Sequence, residues 1–135
     1  MLLSLAACGP LPRDPDGTVE RVTRDRAFAV GQVAGAQSSG STALLATLSR
    51  EIKAKPTIRT GKLEPLLLGL ERGDIDLVIG ARLDPKSPWA RRVTLTAPLD
   101  AIAADGTQEF AAMRNGENAW IIRVDRVAKR VSVAR

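Results

Sequence analysis

A chain of 135 residues with 44% hydrophobic content suits one globular domain, and 3% aromatic content means a core of Leu, Val, Ile and Ala. Histidine is absent and Cys8 is the one cysteine, which excludes intrachain disulfides, thiol–histidine catalysis and a zinc site built on nitrogen and sulfur ligands. The formal charge of +5 and pI near 10.1 are features of nucleic-acid binders, yet the bases are scattered among acids, as in Arg24-Asp25-Arg26 and Arg123-Val124-Asp125-Arg126, and so read as a solvated surface with no nucleic-acid partner.

Met1 to Ala7 read MLLSLAA, and Cys8 follows. Leu5-Ala6-Ala7-Cys8 resembles a bacterial lipobox, in which small residues precede a cysteine that receives lipid. Gly9, Pro10, Pro12, Asp14, Pro15 and Gly17 then form a breaker-rich tether. Residues 1–17 are therefore expected to be a lipoprotein-type signal and tether, with Cys8 as the lipid-attachment site and 18–135 as the folded domain. The apolar stretch is short and no Lys or Arg precedes it, so a stray cysteine in a frayed end is the other reading. No stretch reaches the ~20 apolar residues needed to span a bilayer, and membrane contact is expected through a lipid anchor only.

Gly17 to Arg26 predicts a short helix capped by Thr18. Ala27 to Val33 is apolar and β-branched, a first strand. Residues 34–41 form a small-residue loop, from which Ser41 can cap the next helix. There Ala43, Leu44, Leu48 and Ile52 share one stripe, and Pro56 ends the helix near Lys55. Thr57 to Thr60 predicts a second strand. Glu64-Pro65 opens a helix with Leu66, Leu67 and Leu70 on its buried face, and Gly73 stops it. Ile75 to Ile79 is nearly all apolar, as a strand covered on both faces requires. This alternation predicts an α/β domain with a doubly wound sheet and right-handed crossovers. Val93 to Ala103 is extended, Asp105-Gly106 signals a hairpin, and Gln108 to Arg114 returns as a strand. Asn115-Gly116-Glu117 starts a last helix with Trp120, Ile121, Val124, Val127 and Val131 on one face.

Three segments carry a resemblance. Leu63 to Gly80 (LEPLLLGLERGDIDLVIG), Pro88 to Pro98 (PWARRVTLTAP) and Met113 to Arg130 (MRNGENAWIIRVDRVAKR) occur in this order. Together they resemble family-3 solute-binding proteins, the extracytoplasmic receptors of amino-acid-type ABC importers. The resemblance implies one lobe of a periplasmic-binding-protein-like (type 2) fold: a mixed sheet flanked by helices. In the family a whole second lobe lies between the outgoing and returning strands; here Leu99 to Gln108 fills that interval, so the second lobe is replaced by a β-hairpin. The implied role is a non-enzymatic solute-binding protein of the periplasm or envelope. Its partners would be a weakly held small molecule, and an ABC permease or another envelope protein. A scaffold subunit that has lost solute binding is the alternative. No catalytic residue, cofactor or metal is implied.

Ligands of open α/β sheets sit beyond the carboxyl ends of the strands. That rule selects Gln32 and Val33, then Gly61 to Glu64, then Gly80 to Asp84. Gln32, Glu64, Arg82, Asp84 and Trp89 are the candidate ligand-binding residues, with Arg82 and Asp84 at positions the resemblance implies touch ligand. Trp89 stands where amino-acid-binding members carry an arginine for the ligand carboxylate, which puts amino-acid specificity in doubt. It could stack a planar or cationic ligand, or close the edge of a small core. Ser38-Ser39-Gly40-Ser41 could hold an anion on backbone N–H groups, but without a phosphate-loop lysine it reads as a capped loop.

Overall fold

The computed structural model describes residues 13–35 and 37–133; Cys8 and its lipobox-like segment lie outside them. Among the described residues five helices and five strands alternate except where β5 follows β4, beginning with α1 (Thr18–Asp25), β1 (Ala27–Val33), α2 (Ser39–Ile52), β2 (Lys55–Gly61) and α3 (Leu63–Arg72). The chain continues through β3 (Leu77–Leu83), α4 (Trp89–Arg92), β4 (Val93–Leu95), β5 (Gln108–Arg114) and α5 (Asn118–Val133). The sheet order is β2-β1-β3-β5-β4. β2 and β3 run parallel to β1, whereas β5 is antiparallel to β3 and β4 to β5. The sheet is thus mixed, and parallel only in its first half.

Two cores form because the buried strands are apolar on both faces. On one face Phe28, Val30, Leu77 and Ile79 pack with Leu44 and Leu48 of α2 and Trp120, Val124 and Val127 of α5. On the other, Val78, Ala81, Leu83 and Phe110 pack with Leu66, Leu67 and Leu70 of α3. Trp120 meets Phe28 edge to face, with centroids 5.8 Å apart, and its indole N–H donates to the Asp76 carbonyl at 2.8 Å. The Asp76 carboxylate in turn accepts from Arg21 and, at 2.8 Å, from the Ala29 N–H. A buried charge that is paired and hydrogen-bonded in this way ties α1 to the sheet.

The structure moves several boundaries, among them those of β2, which runs from Lys55 to Gly61 rather than from Thr57 to Thr60 because α2 already ends at Ile52. Gly17, in the left-handed region at φ 66°, precedes α1; Thr18 does not cap it but is buried, its hydroxyl donating to Glu117 at 2.6 Å. α2 starts at Ser39 with Ser38 as its cap, the Ser41 N–H donating to the Ser38 hydroxyl at 3.1 Å, because Ser41 is already inside the first turn. β3 runs to Leu83, four residues past the expected end. A register shift lies between Val78 and Ala81, with Gly80 at φ 75°, and it lets the strand continue past Gly80 beside β5. The segment upstream of α1 also packs on the domain: the Asp14 carboxylate accepts the Val19 and Trp120 N–H groups, and the Asp16 N–H donates to Glu117.

β4 and β5 belong to one hairpin. Beyond Leu95 the pairing is carried by single bonds: Thr96 N–H to Ala111, Leu99 N–H to Glu109 and Ala103 N–H to Thr107. Pro98 cannot donate, which fits the break in the ladder. Gly106, at φ 82°, donates to the Ala103 carbonyl, and the Asp105 carboxylate accepts from the Thr107 N–H and hydroxyl.

Candidate functional site

The carboxyl ends of β1 and β3 and the start of α2 meet at one rim. The side-chain alternation that buries Phe28 and Val30 under α2 also turns Gln32 toward α2. There it lines a groove of about 370 Å³ with Gln37, Thr42, Leu45, Ser49 and Ile79. The Gln37 amide N–H donates to the Val33 carbonyl at 2.7 Å, while its Oε1 is buried with no partner among the described residues. A Cβ on Gly80 would overlap that amide, so a glycine at this point of β3 makes room for Gln37.

Beside the groove lies a polar cluster. Glu109, 3% exposed, accepts the Ser38 N–H at 3.2 Å and both the Ser38 and Ser41 hydroxyls. Arg82 reaches over from β3, hydrogen-bonded to Asp100 and 4.0 Å from Glu109. Asp100 also accepts the Glu109 N–H at 2.7 Å. The hydrogen bond that the Arg82 guanidinium donates to Asp100 raises it further above its ordinary value, so it is a permanent cation. The serine loop that could hold an anion does hold one, and that anion belongs to the chain itself.

The remaining candidates are dispersed. Glu64 is exposed in the first turn of α3. Asp84 is exposed after β3, its carboxylate accepting the Lys86 N–H at 2.8 Å. Trp89 is half-buried against the α3-side core, and the Arg92 guanidinium sits 3.9 Å from the centre of its ring. Arg92 is itself paired with Glu71. Arg82, by contrast, is engaged with the Ser38–Glu109 cluster on the α2 side. The structure therefore brings Arg82 into a cluster and places Trp89 on the other face of the sheet. Gln37, Asp100 and Glu109 were not among the sequence candidates. The one available signal was an acid, Glu109, directly before the apolar run Phe110 to Met113 of β5.

Among the described residues no group of His, Cys, Asp or Glu is arranged to hold a metal ion, and no helix is long and apolar enough to cross a membrane. The rim offers the amides of Gln32 and Gln37 in a groove of mixed polar and apolar lining, with the Arg82 cation in the cluster beside it. That arrangement can orient a small polar molecule by hydrogen bonds and charge.

No protein-family model matches the chain, and no curated protein matches it. Solved structures do. A point variant of domain 1 from TmArgBP, in its arginine-bound form, superposes with a TM-score of 0.70 at 15% identity, covering 85% of this chain and 98% of that one. An amino acid ABC transporter substrate-binding protein from Streptococcus pneumoniae, bound to L-arginine, gives 0.68 at 10% identity, covering 86% and 92%. The ancestral amino acid-binding protein AncCDT-1, a precursor of cyclohexadienyl dehydratase, gives 0.66 at 10% identity, covering 86% and 93%. The chain has the fold of one domain of a periplasmic-binding-protein-like molecule, as the order of its elements led us to expect.

Proposed function

We propose that this chain is a non-enzymatic, single-lobe solute-binding protein that holds a small polar molecule at the carboxyl ends of β1 and β3. One observation carries the reading: the fold is shared with an isolated domain 1 whose structure is arginine-bound. A single lobe of this shape can therefore retain a solute without a second lobe closing over it. Gln32, Gln37, Arg82 and Asp84 are the contacts we assign, with Glu64 as an outer charge. Trp89 serves as an edge to the α3-side core, its ring partly covered by Arg92.

A lobe that supplies one wall keeps about half the contacts of a closed two-lobed site, while the loss of translational freedom stays whole. If a closed site reaches micromolar, half the net energy corresponds to roughly millimolar, so binding no tighter than ~0.1–1 mM is expected. Ligand-observed NMR against arginine, other amino acids, polyamines and small carboxylates tests this. Binding in that range supports the reading; silence across the panel overturns it. A micromolar hit lost in Arg82→Ala would show that one lobe suffices for tight binding.

In this reading the protein works in the periplasm or envelope as a component or relative of an ABC importer, anchored through Cys8. Equal fatty-acid labelling of the wild type and Cys8→Ser would refute the anchor.

The second reading is a scaffold subunit that has lost solute binding. Ile102 favours it: this side chain is 69% exposed near the tip of the hairpin that stands in for the second lobe. A silent solute panel, together with a partner complex lost in Ile102→Asp, would establish it.

A further inference from the structure

β2 is an edge of the sheet, and among the described residues it pairs with β1 alone. The opposite edge, β4, has three residues; β2 has seven. The ladder to β1 fixes which backbone groups of β2 are in use. The Lys55 N–H donates to the Arg26 carbonyl, and the Gly61 carbonyl accepts the Ala34 N–H. Backbone groups alternate sides along a strand, so those of Lys55, Thr57, Arg59 and Gly61 face β1. Pro56, Ile58 and Thr60 turn theirs outward. The Ile58 and Thr60 N–H groups and the carbonyls of Pro56, Ile58 and Thr60 therefore have no partner in the sheet. Proline, which has no N–H, occupies an outward position, as the ladder requires.

Side chains follow the same alternation. Pro56 lines the groove on the α2 side, whereas a Cβ on Gly61 would touch Leu66 on the α3 side. Ile58, 49% exposed, thus stands on the α2-side face, and Lys55 and Arg59 stand on the other. Between Glu51 and Glu64 the chain carries four cations, Lys53, Lys55, Arg59 and Lys62, and no acid. All four are exposed, and none forms an ion pair among the described residues.

We infer that β2 takes an added strand from a partner protein: an extended acidic segment in which acids alternate with apolar or β-branched residues. Main-chain bonds to Ile58 and Thr60 supply the pairing. The acids meet Lys55 and Arg59 on one face, and the alternate side chains cover Ile58 on the other. A second copy of this chain does not fit. Two β2 strands paired antiparallel about Ile58 would gather both copies of Lys55 and Arg59 on one face, where they repel. Basic residues and proline on an edge strand blunt self-pairing in this way. The edge therefore rejects its own kind and accepts an acidic strand. A nucleic-acid backbone would suit the cations, but it has no donors and acceptors at strand pitch to complete the ladder.

The probe is a fluorescein-labelled peptide of about nine residues in which Glu alternates with Thr and Val, long enough for a full strand. Fluorescence anisotropy on the wild-type protein should show saturable binding below about 1 mM that weakens with added salt. Binding should fall about tenfold or more in Lys55→Glu/Arg59→Glu. Both side chains are exposed, and a thermal melt confirms that the variant is folded. The wild-type protein also separates strand addition from loose charge attraction. The peptide should slow hydrogen exchange at the Ile58 and Thr60 amides, and the same peptide N-methylated along its backbone must fail to bind. Absence of saturable binding, equal binding of a peptide with Lys for every Glu, or an undiminished variant overturns the proposal. So does undiminished binding of the N-methylated peptide, or unchanged exchange at Ile58 and Thr60. Tighter binding of single-stranded DNA, or a dimer of the protein alone that protects the same two amides, also overturns it. Gln32, Gln37 and Arg82 are untouched throughout, so this proposal and solute binding stand or fall separately.

Discussion

Glu109 joins three parts of the molecule that are distant in sequence: β5, the start of α2 and, through Arg82 and Asp100, the end of β3 and the hairpin. A carboxylate at a helix start accepts N–H groups that otherwise lack partners and suits the local dipole. Glu109→Ala leaves the buried Ser41 hydroxyl without this acceptor and Arg82 with one partner fewer. We expect a loss of about 2–4 kcal/mol, read as a lower urea midpoint at unchanged slope. Glu117 is a second buried carboxylate, 2% exposed. Burial pushes its carboxyl up, but the Thr18 hydroxyl, the Asp16 N–H and Arg114 together outweigh this and hold it below its ordinary 4.5. The folded state thus favours the ionised form. The resulting stability is present above the ordinary value and is lost as pH falls through the lower, folded value. Urea titrations should show wild-type stability declining below about pH 4.5, with a shallower decline in Glu117→Gln; parallel declines would show that Glu117 is not responsible.

At the scale of elements, the helices and most strands were legible because each buries an apolar stripe of the right period. Trp120, Val124 and Val127 lie where a 3.6-residue repeat places them, and Asp105-Gly106 makes the turn its chemistry favours. What the sequence hid are couplings over long separations. Ser38 and Glu109 are 71 residues apart, and no local pattern announces that a serine loop will be closed by its own chain. The end of β3 was hidden for a related reason. Gly80 looks like a stop, but with β5 alongside it serves as a bulge. Gly40 shows how closely the hairpin approaches α2, since a Cβ there would overlap the Leu99 carbonyl oxygen. Gly40→Ala forces backbone apart rather than a flexible side chain. We expect a cost of about 3 kcal/mol, the upper end for overpacking, seen as a lower thermal midpoint. Hydrogen exchange should then speed up at the Leu99 and Ala103 amides; an unchanged melt would mean the hairpin is not held by this contact.

Over the whole molecule, the fold places a polar rim at one end of the sheet and leaves it open where the Leu99–Gln108 hairpin stands between β4 and β5. Two of the sequence candidates, Gln32 and Arg82, lie at that rim on the α2 side, and Trp89 does not: it opens α4, six residues past the end of β3, and packs against the α3-side core. The central claim is that this one lobe holds a small polar solute there, weakly. A residue-resolved NMR titration of the wild-type protein with arginine tests it most directly. We expect shifts concentrated at Gln32, Gln37 and Arg82 to Asp84, saturating with a dissociation constant of roughly 0.1–1 mM. An absence of shifts at these residues up to several millimolar, or shifts centred elsewhere on the surface, would contradict it.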